Sequence, residues 1–199
     1  SYVSACDTSS LTAAPNFVFT PTPATGYIGD TISFTVAASP PLTADDIVFW
    51  WEDVQLNEEL NPAVSTDWKA GGEPGKIEKI DDYTIKWSFS APYGTLLLKL
   101  ASAAGPSPVS YPKHYLEQFH VDYNPDARQM AEDAGFEDWQ AYWQSIIEGG
   151  CCGYHLDGDM PHIWAWQPTS GYGAESTTTF RAVRNPYYWK VDTAGNQLP

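Results

Sequence analysis

Residues 42–54, LTADDIVFWWEDV, constrain the fold most strongly because two adjacent tryptophans follow a clear helix-start signal. Thr43 can cap the backbone N–H three residues on, and Asp45 and Asp46 place carboxylates in the first turn, where the helix dipole favours them. Large apolar side chains then recur at helical spacing: Ile47, Trp50, Trp51 and Val54. Because two tryptophans need a large body to pack against, the segment predicts a core helix.

The strongest hairpin signal lies at residues 76–89, where predicted strands 76–80 and 83–89 flank a turn at Asp81 and Asp82. Alternating residues of the second strand are expected to face one way: Tyr83, Ile85, Trp87 and Phe89. That face can cover the stripe of the 42–54 helix, which predicts a helix packed on an antiparallel sheet.

The remaining patterns are shorter and predict a mixed α/β (α+β) chain. In order, they predict a loop or arm over 1–29, a half-buried strand over 31–36, a surface loop over 62–75, a short apolar helix over 95–104, helices following Pro112 and Pro125, a third helix from Phe136 to Ile147, and a strand over 177–184.

Composition excludes several classes of function. A net charge of -15, with ten basic residues and no basic cluster, argues against nucleic acid or an anionic membrane as partner. The sequence also lacks a run of 18 apolar residues, which is about the length needed to cross a bilayer.

The cysteines, Cys6, Cys151 and Cys152, are too few for a disulfide framework and lack zinc-ligand spacing. A bridge from Cys6 to one of the pair and free buried thiols both remain open.

Residue types that carry catalysis are not arranged for it. A metal site could be drawn from His155, Asp157, Asp159 and His162, but their spacing fits neither a calcium loop nor a helical zinc motif. There is no G-x-S-x-G elbow and no glycine-rich phosphate loop. The sequence therefore predicts no metal, no cofactor and no catalytic residue.

Trp164, Trp166 and Tyr172 are the candidate ligand-binding residues, because they lie in an aperiodic loop where no core stripe explains them. The alternative is that they merely pack this loop onto the body of the protein. The block RNPYYW, which begins at Arg184, is interpreted as structural: a strand end, a proline turn and then an aromatic plug at Trp189. Ligand contact by Trp189 is its alternative.

Three blocks resemble, in order, the extracellular solute-binding proteins of family 5, the peptide-binding components of ABC importers. They are PLTADDIVFWWEDV, PVSYPKHYLEQFH and RNPYYWKVDTAGNQLP, and DDYTIKWSFSAPYG fits between the first two. The resemblance covers about residues 41–199. The turn ASPP departs from the family's D-G pattern, and residues 1–28 match nothing in it.

The resemblance implies one lobe of a type II periplasmic-binding-protein-like fold. Residues 30–199 would be a fragment of the N-terminal lobe of a larger two-lobe protein, with residues 1–29 as an unplaced arm. The implied function is capture of peptides, or of oligosaccharides in some relatives, outside the membrane and delivery to an ABC permease. The protein would be a monomer. It would be extracellular, periplasmic or, like a lipoprotein, anchored on the outer face of the membrane. Its ligand would be enclosed against the second lobe.

Two other classes remain open. An acidic, tryptophan-rich chain could be a carbohydrate-binding module or a carbohydrate-active enzyme domain, because sugars stack on aromatic faces. An enzyme of that kind would need two carboxylates across a cleft. A surface or adhesion domain is favoured only by the Ser/Thr/Pro-rich residues 1–30, and a single sheet sandwich in place of a mixed α/β lobe would support it.

Overall fold

The fold was analysed in a computed structural model of the chain. It describes residues 42–102, 104–147, 159–169 and 181–185, the backbone of 30–33, and residues 188, 190, 192–194 and 196. The arm predicted over 1–29 and the three cysteines lie outside the described residues.

Short antiparallel strands make up the sheets. They are β1 (Asp30–Ser33), β2 (Lys69–Ala70), β3 (Glu73–Pro74), β4 (Lys76–Asp81), β5 (Thr84–Ser88), β6 (Trp166–Pro168) and β7 (Ala182–Arg184). The largest sheet has the order β1-β5-β4, while β2 pairs with β3 and β6 with β7. The strand predicted over 31–36 is therefore observed over part of its range, and the strand predicted over 177–184 over its last three residues.

The helices are short as well. They are α1 (Ala44–Phe49), α2 (Leu96–Leu100), α3 (Lys113–Leu116), α4 (Ala127–Asp133) and α5 (Trp139–Ile147), with a π-helix at Trp50–Gln55 and 3-10 turns at Thr66–Trp68, Ser107–Val109 and Glu117–Phe119. No helix within the described residues is long and apolar enough to cross a membrane.

The predicted cap starts α1. The Asp45 N–H donates to the Thr43 hydroxyl at 3.3 Å. The Thr43 N–H donates to the Asp46 carboxylate at 2.7 Å, and the Asp46 backbone N–H donates in return to the Thr43 side chain, which forms a capping box. The turn between β4 and β5 meets this cap, because the Ala44 N–H donates to the Asp82 carbonyl at 2.8 Å. The start of α1 is thus tied to the hairpin.

Beyond α1 the chain widens into the π-helix, where the Leu56 N–H donates to the Trp51 carbonyl five residues back at 3.0 Å. Trp50 and Trp51 are 0% and 1% exposed, and their rings lie 6.0 and 5.5 Å from that of Trp87 on β5. The predicted packing of this helix on the hairpin sheet is confirmed.

Two hydrophobic clusters meet at this helix. The sheet cluster is Ala44, Ile47, Trp50, Trp51, Trp68, Ala70, Ile77, Ile85, Trp87, Phe89 and Leu96. The helix cluster is Phe49, Val54, Leu116, Phe119, Ala131, Trp139, Trp143, Ile146 and Met160. Placing Val54 on the sheet-facing stripe was wrong, because the wider π turn rotates residues beyond Trp51 away from α-helical spacing.

One residue of the hairpin does not lie on the predicted face. Ile85, Trp87 and Phe89 are buried as predicted, whereas Tyr83 is 42% exposed. Tyr83 precedes β5 and lies in the turn, where its N–H donates to the Asp81 carboxylate at 2.8 Å. The register also shifts between Lys79 and Asp81, so the alternation does not continue into the turn.

The predicted surface loop over 62–75 carries core residues. Trp68 and Ala70 are 4% and 8% exposed because the 3-10 turn and the β2–β3 pair fold the loop onto the sheet cluster. A Cβ atom at Gly75 would lie 2.3 Å from Nε1 of Trp87, so only glycine fits this close approach. Gly75, at the end of the predicted loop, is therefore part of the packing.

The helices after Pro112 and Pro125 form where predicted. Pro112 is the N-cap of α3, and Pro125 lies just before α4. The apolar helix predicted over 95–104 is shorter, at Leu96–Leu100, and Leu98 is 70% exposed.

Truncation of Trp51 tests the packing of the central helix. We expect Trp51→Ala to lower the free energy of unfolding by about 3–5 kcal/mol, because it removes a fully buried indole from the sheet cluster. Leu98→Ala, at a helical but exposed position, should change it by less than about 0.5 kcal/mol. Urea unfolding measures both, and a loss below about 1 kcal/mol for Trp51→Ala would contradict the packing.

Candidate functional site

Residues 159–169 form a segment that leaves the helix cluster and ends in an exposed β-ribbon. Met160, 1% exposed, lies in the helix cluster and anchors the start of the segment. The segment then forms β6, which pairs antiparallel with β7. A loop held at both ends in this way can present side chains in a fixed position.

Trp166 is the most exposed tryptophan among the described residues, at 52%. It pairs directly with Arg184 across the ribbon. Residues opposite each other in an antiparallel pair share a face, so the Trp166 indole and the exposed Arg184 side chain project from the same side. This face combines a flat apolar surface with a fork of hydrogen-bond donors.

Trp164 has a different environment. Its side chain is half-buried, and its indole Nε1 is buried with no hydrogen-bond partner among the described residues. Its backbone N–H donates to Nδ1 of His162 at 3.2 Å. Of the predicted ligand-binding residues, Trp166 is therefore widely exposed and Trp164 is half-buried. Tyr172 lies outside the described residues.

Asn185 is a site residue that the sequence analysis missed. It is 3% exposed, directly follows β7, and its amide Nδ2 donates to the carbonyls of His162 at 3.0 Å and Trp164 at 2.8 Å. The predicted strand end at Arg184 is observed, whereas Pro186 and Trp189 of the same block lie outside the described residues. A signal was present in the sequence, because an asparagine at a strand end before proline commonly bonds to backbone groups.

The metal set drawn from the sequence is only partly described. Asp159 is exposed, His162 accepts the Trp164 N–H through Nδ1, and His155 and Asp157 lie outside the described residues. Among the residues that can be examined, no three His, Cys, Asp or Glu side chains are grouped to hold a metal ion.

In fold and in sequence, the chain is similar to a part of known periplasmic binding proteins. The oligopeptide-binding protein OppA has a TM-score of 0.72 with 30% identity, and the match covers 88% of this chain and 26% of that one. MelB of Agrobacterium fabrum C58, solved with stachyose, matches in fold with a TM-score of 0.55 at 22% identity, covering 90% of this chain and 24% of that one.

A curated relative agrees with this class. The periplasmic alpha-galactoside-binding protein of Rhizobium meliloti (strain 1021) is 33% identical over 159 residues, which are 80% of this chain and 20% of that protein. No family model matches. The resemblance to family 5 solute-binding proteins and the predicted fold class are confirmed, and the chain spans about a fifth to a quarter of these relatives.

Acid should loosen the 159–169 segment through His162. Burial lowers the pKa of His162 below its ordinary value, so the folded protein holds the neutral ring. As pH falls through about 6.5, the unfolded chain takes up a proton that the folded chain resists, and stability is lost. Protonation of Nδ1 would also displace the Trp164 N–H.

We expect the melting temperature of the wild type to fall more steeply than that of His162→Gln between about pH 7.5 and pH 5.5. Thermal unfolding followed by circular dichroism measures both, and the comparison cancels the contributions of the other titrating groups, which the two proteins share. Parallel pH profiles for the two proteins would contradict this role of His162.

Proposed function

We propose that this chain is part of the substrate-binding component of an ABC importer. It would capture peptides or oligosaccharides outside the membrane and deliver them to a permease. The protein itself would be extracellular, periplasmic or anchored on the outer face of the membrane. Support comes from two relatives at 33% and 30% identity whose names state binding of alpha-galactosides and of oligopeptides. Both are binding proteins, and we propose that this chain likewise binds and does not catalyse.

The observation that carries the proposal is the exposed indole of Trp166 on an anchored ribbon. A tryptophan usually buries most of its large surface, so an indole left half in water on an anchored ribbon is suited to contact a ligand. Both the apolar face of a sugar ring and the side chains of a peptide can pack on it. Arg184, on the same face, can donate hydrogen bonds to sugar hydroxyls or to peptide carbonyls and carboxylates.

We further propose that residues 30–199 are a fragment of the N-terminal lobe of a two-lobe protein, preceded by an arm over 1–29. The second lobe would close over the ligand and supply the remaining contacts. The complete protein would act as a monomer. This proposal is supported by the chain spanning 20% of the alpha-galactoside-binding protein and 26% of OppA.

The Trp166 face can be tested in the complete protein with two probes, stachyose, which contains α-linked galactose, and trialanine. We expect Trp166→Ala to weaken binding of the probe that binds by tenfold or more, equivalent to about 1.4 kcal/mol, because buried aromatic anchors dominate binding energy. Isothermal titration calorimetry measures the change.

Tyr83→Ala provides the control, since Tyr83 is an exposed aromatic residue on the turn of the other sheet. It should leave the Kd within twofold of wild type. An unchanged Kd for Trp166→Ala would remove Trp166 from the site, and failure of the wild type to bind either probe would overturn the proposed ligand classes.

A further inference from the structure

Asn185 is one of the few buried polar side chains among the described residues, and its amide lies where β7 ends. Nδ2 lies 3.0 Å from the His162 carbonyl and 2.8 Å from the Trp164 carbonyl. Carbonyl oxygens only accept hydrogen bonds, so both must be met by the two N–H groups of the amide, and this fixes its orientation.

The two acceptors belong to residues only two apart in the chain. Holding both carbonyls on one nitrogen sets the curvature of the backbone from His162 to Trp164. Aspartate, serine and alanine cannot make both bonds, because none of these side chains carries two N–H donors. A buried carbonyl that loses its donor is penalised, so this part of the loop would rearrange toward water or other partners.

The backbone of Asn185 continues the same connection. Its N–H donates to the Ala165 carbonyl at 2.8 Å, directly before Trp166, and its preceding neighbour Arg184 pairs with Trp166. Asn185 therefore borders both members of the exposed pair. Met160 holds the other end of the segment in the helix cluster, and the Asn185 amide contacts the chain between Met160 and Trp166.

We infer that Asn185 is a positioning residue for ligand recognition, which holds the His162–Trp164 backbone so that the Trp166 indole faces the ligand. This inference rests on the proposed function. Asn185 itself is buried and does not contact the ligand. Its contribution to binding acts through Trp166, whereas its contribution to stability does not need Trp166.

A double-mutant cycle separates these contributions, using the complete protein and whichever of stachyose or trialanine it binds. The proteins are wild type, Asn185→Ala, Trp166→Ala and the double variant, with calorimetry for the Kd and thermal unfolding for stability. Substitution of Asn185 leaves its backbone N–H in place, so the cycle reports on the whole side-chain amide, including its hydrogen bonds to the His162 and Trp164 carbonyls. Asn185→Ser is used in the same way if the alanine variant does not fold.

We expect Asn185→Ala to weaken binding about tenfold in the wild-type background and by less than twofold in the Trp166→Ala background. Its loss of melting temperature should be the same in both backgrounds. A lowered melting temperature with an unchanged Kd would overturn the inference and leave Asn185 purely structural. Equal weakening in both backgrounds would also overturn it, because Asn185 would then not act through Trp166.

The cycle also distinguishes failure of this inference from failure of the proposed site. If Trp166→Ala alone leaves the Kd unchanged, the proposed binding face fails and the inference falls with it. If Trp166→Ala weakens binding but Asn185→Ala does not, the binding face stands and only the positioning role is refuted.

Discussion

The burial of two adjacent tryptophans on a single helix is the constraint on which the rest of the structure depends. Neighbouring helical residues point about 100° apart, so Trp50 and Trp51 can both be covered only if the sheet cluster wraps a broad face of the helix. Phe49 and Val54 emerge on the other side and start the helix cluster. The central helix thus joins two cores instead of resting on one, and the π turn at Trp50–Gln55 distributes its large side chains between them.

Both ends of this helix are tied to one distant segment. Asp46, 4% exposed, accepts the backbone N–H of Lys113 at 2.8 Å, so the cap also fixes the start of α3. At the other end, Nε2 of the fully buried His120 lies 3.1 Å from the Asp53 carbonyl, one of the carbonyls that a helix end leaves without an internal partner. The helix cluster built there in turn holds Met160, and through it the segment that carries Trp166.

Local signals in the sequence predicted the parts of the fold that depend on neighbours in the chain. The Thr43 cap, the hairpin and the helices after Pro112 and Pro125 are of this kind. The sequence failed where distant contacts decide: Trp68 is buried because its loop folds back on the sheet, and a π turn cannot be inferred from spacing that assumes an α-helix. Of the candidate site, the segment could be predicted, but the different exposure of Trp164 and Trp166 could not, because the segment pairs with residues about twenty positions further along the chain.

We propose that this chain supplies one side of a ligand site whose other side lies elsewhere in a longer protein. Calorimetry of the 199-residue chain and of the complete protein, each with stachyose and trialanine, tests it most directly. We expect the complete protein to bind its ligand at least a hundredfold more tightly, a difference of about 2.7 kcal/mol, because a single lobe would offer about half of the contacts and could not exclude water. Equally tight binding by the 199-residue chain would show that the site is complete within it and would refute the two-lobe proposal.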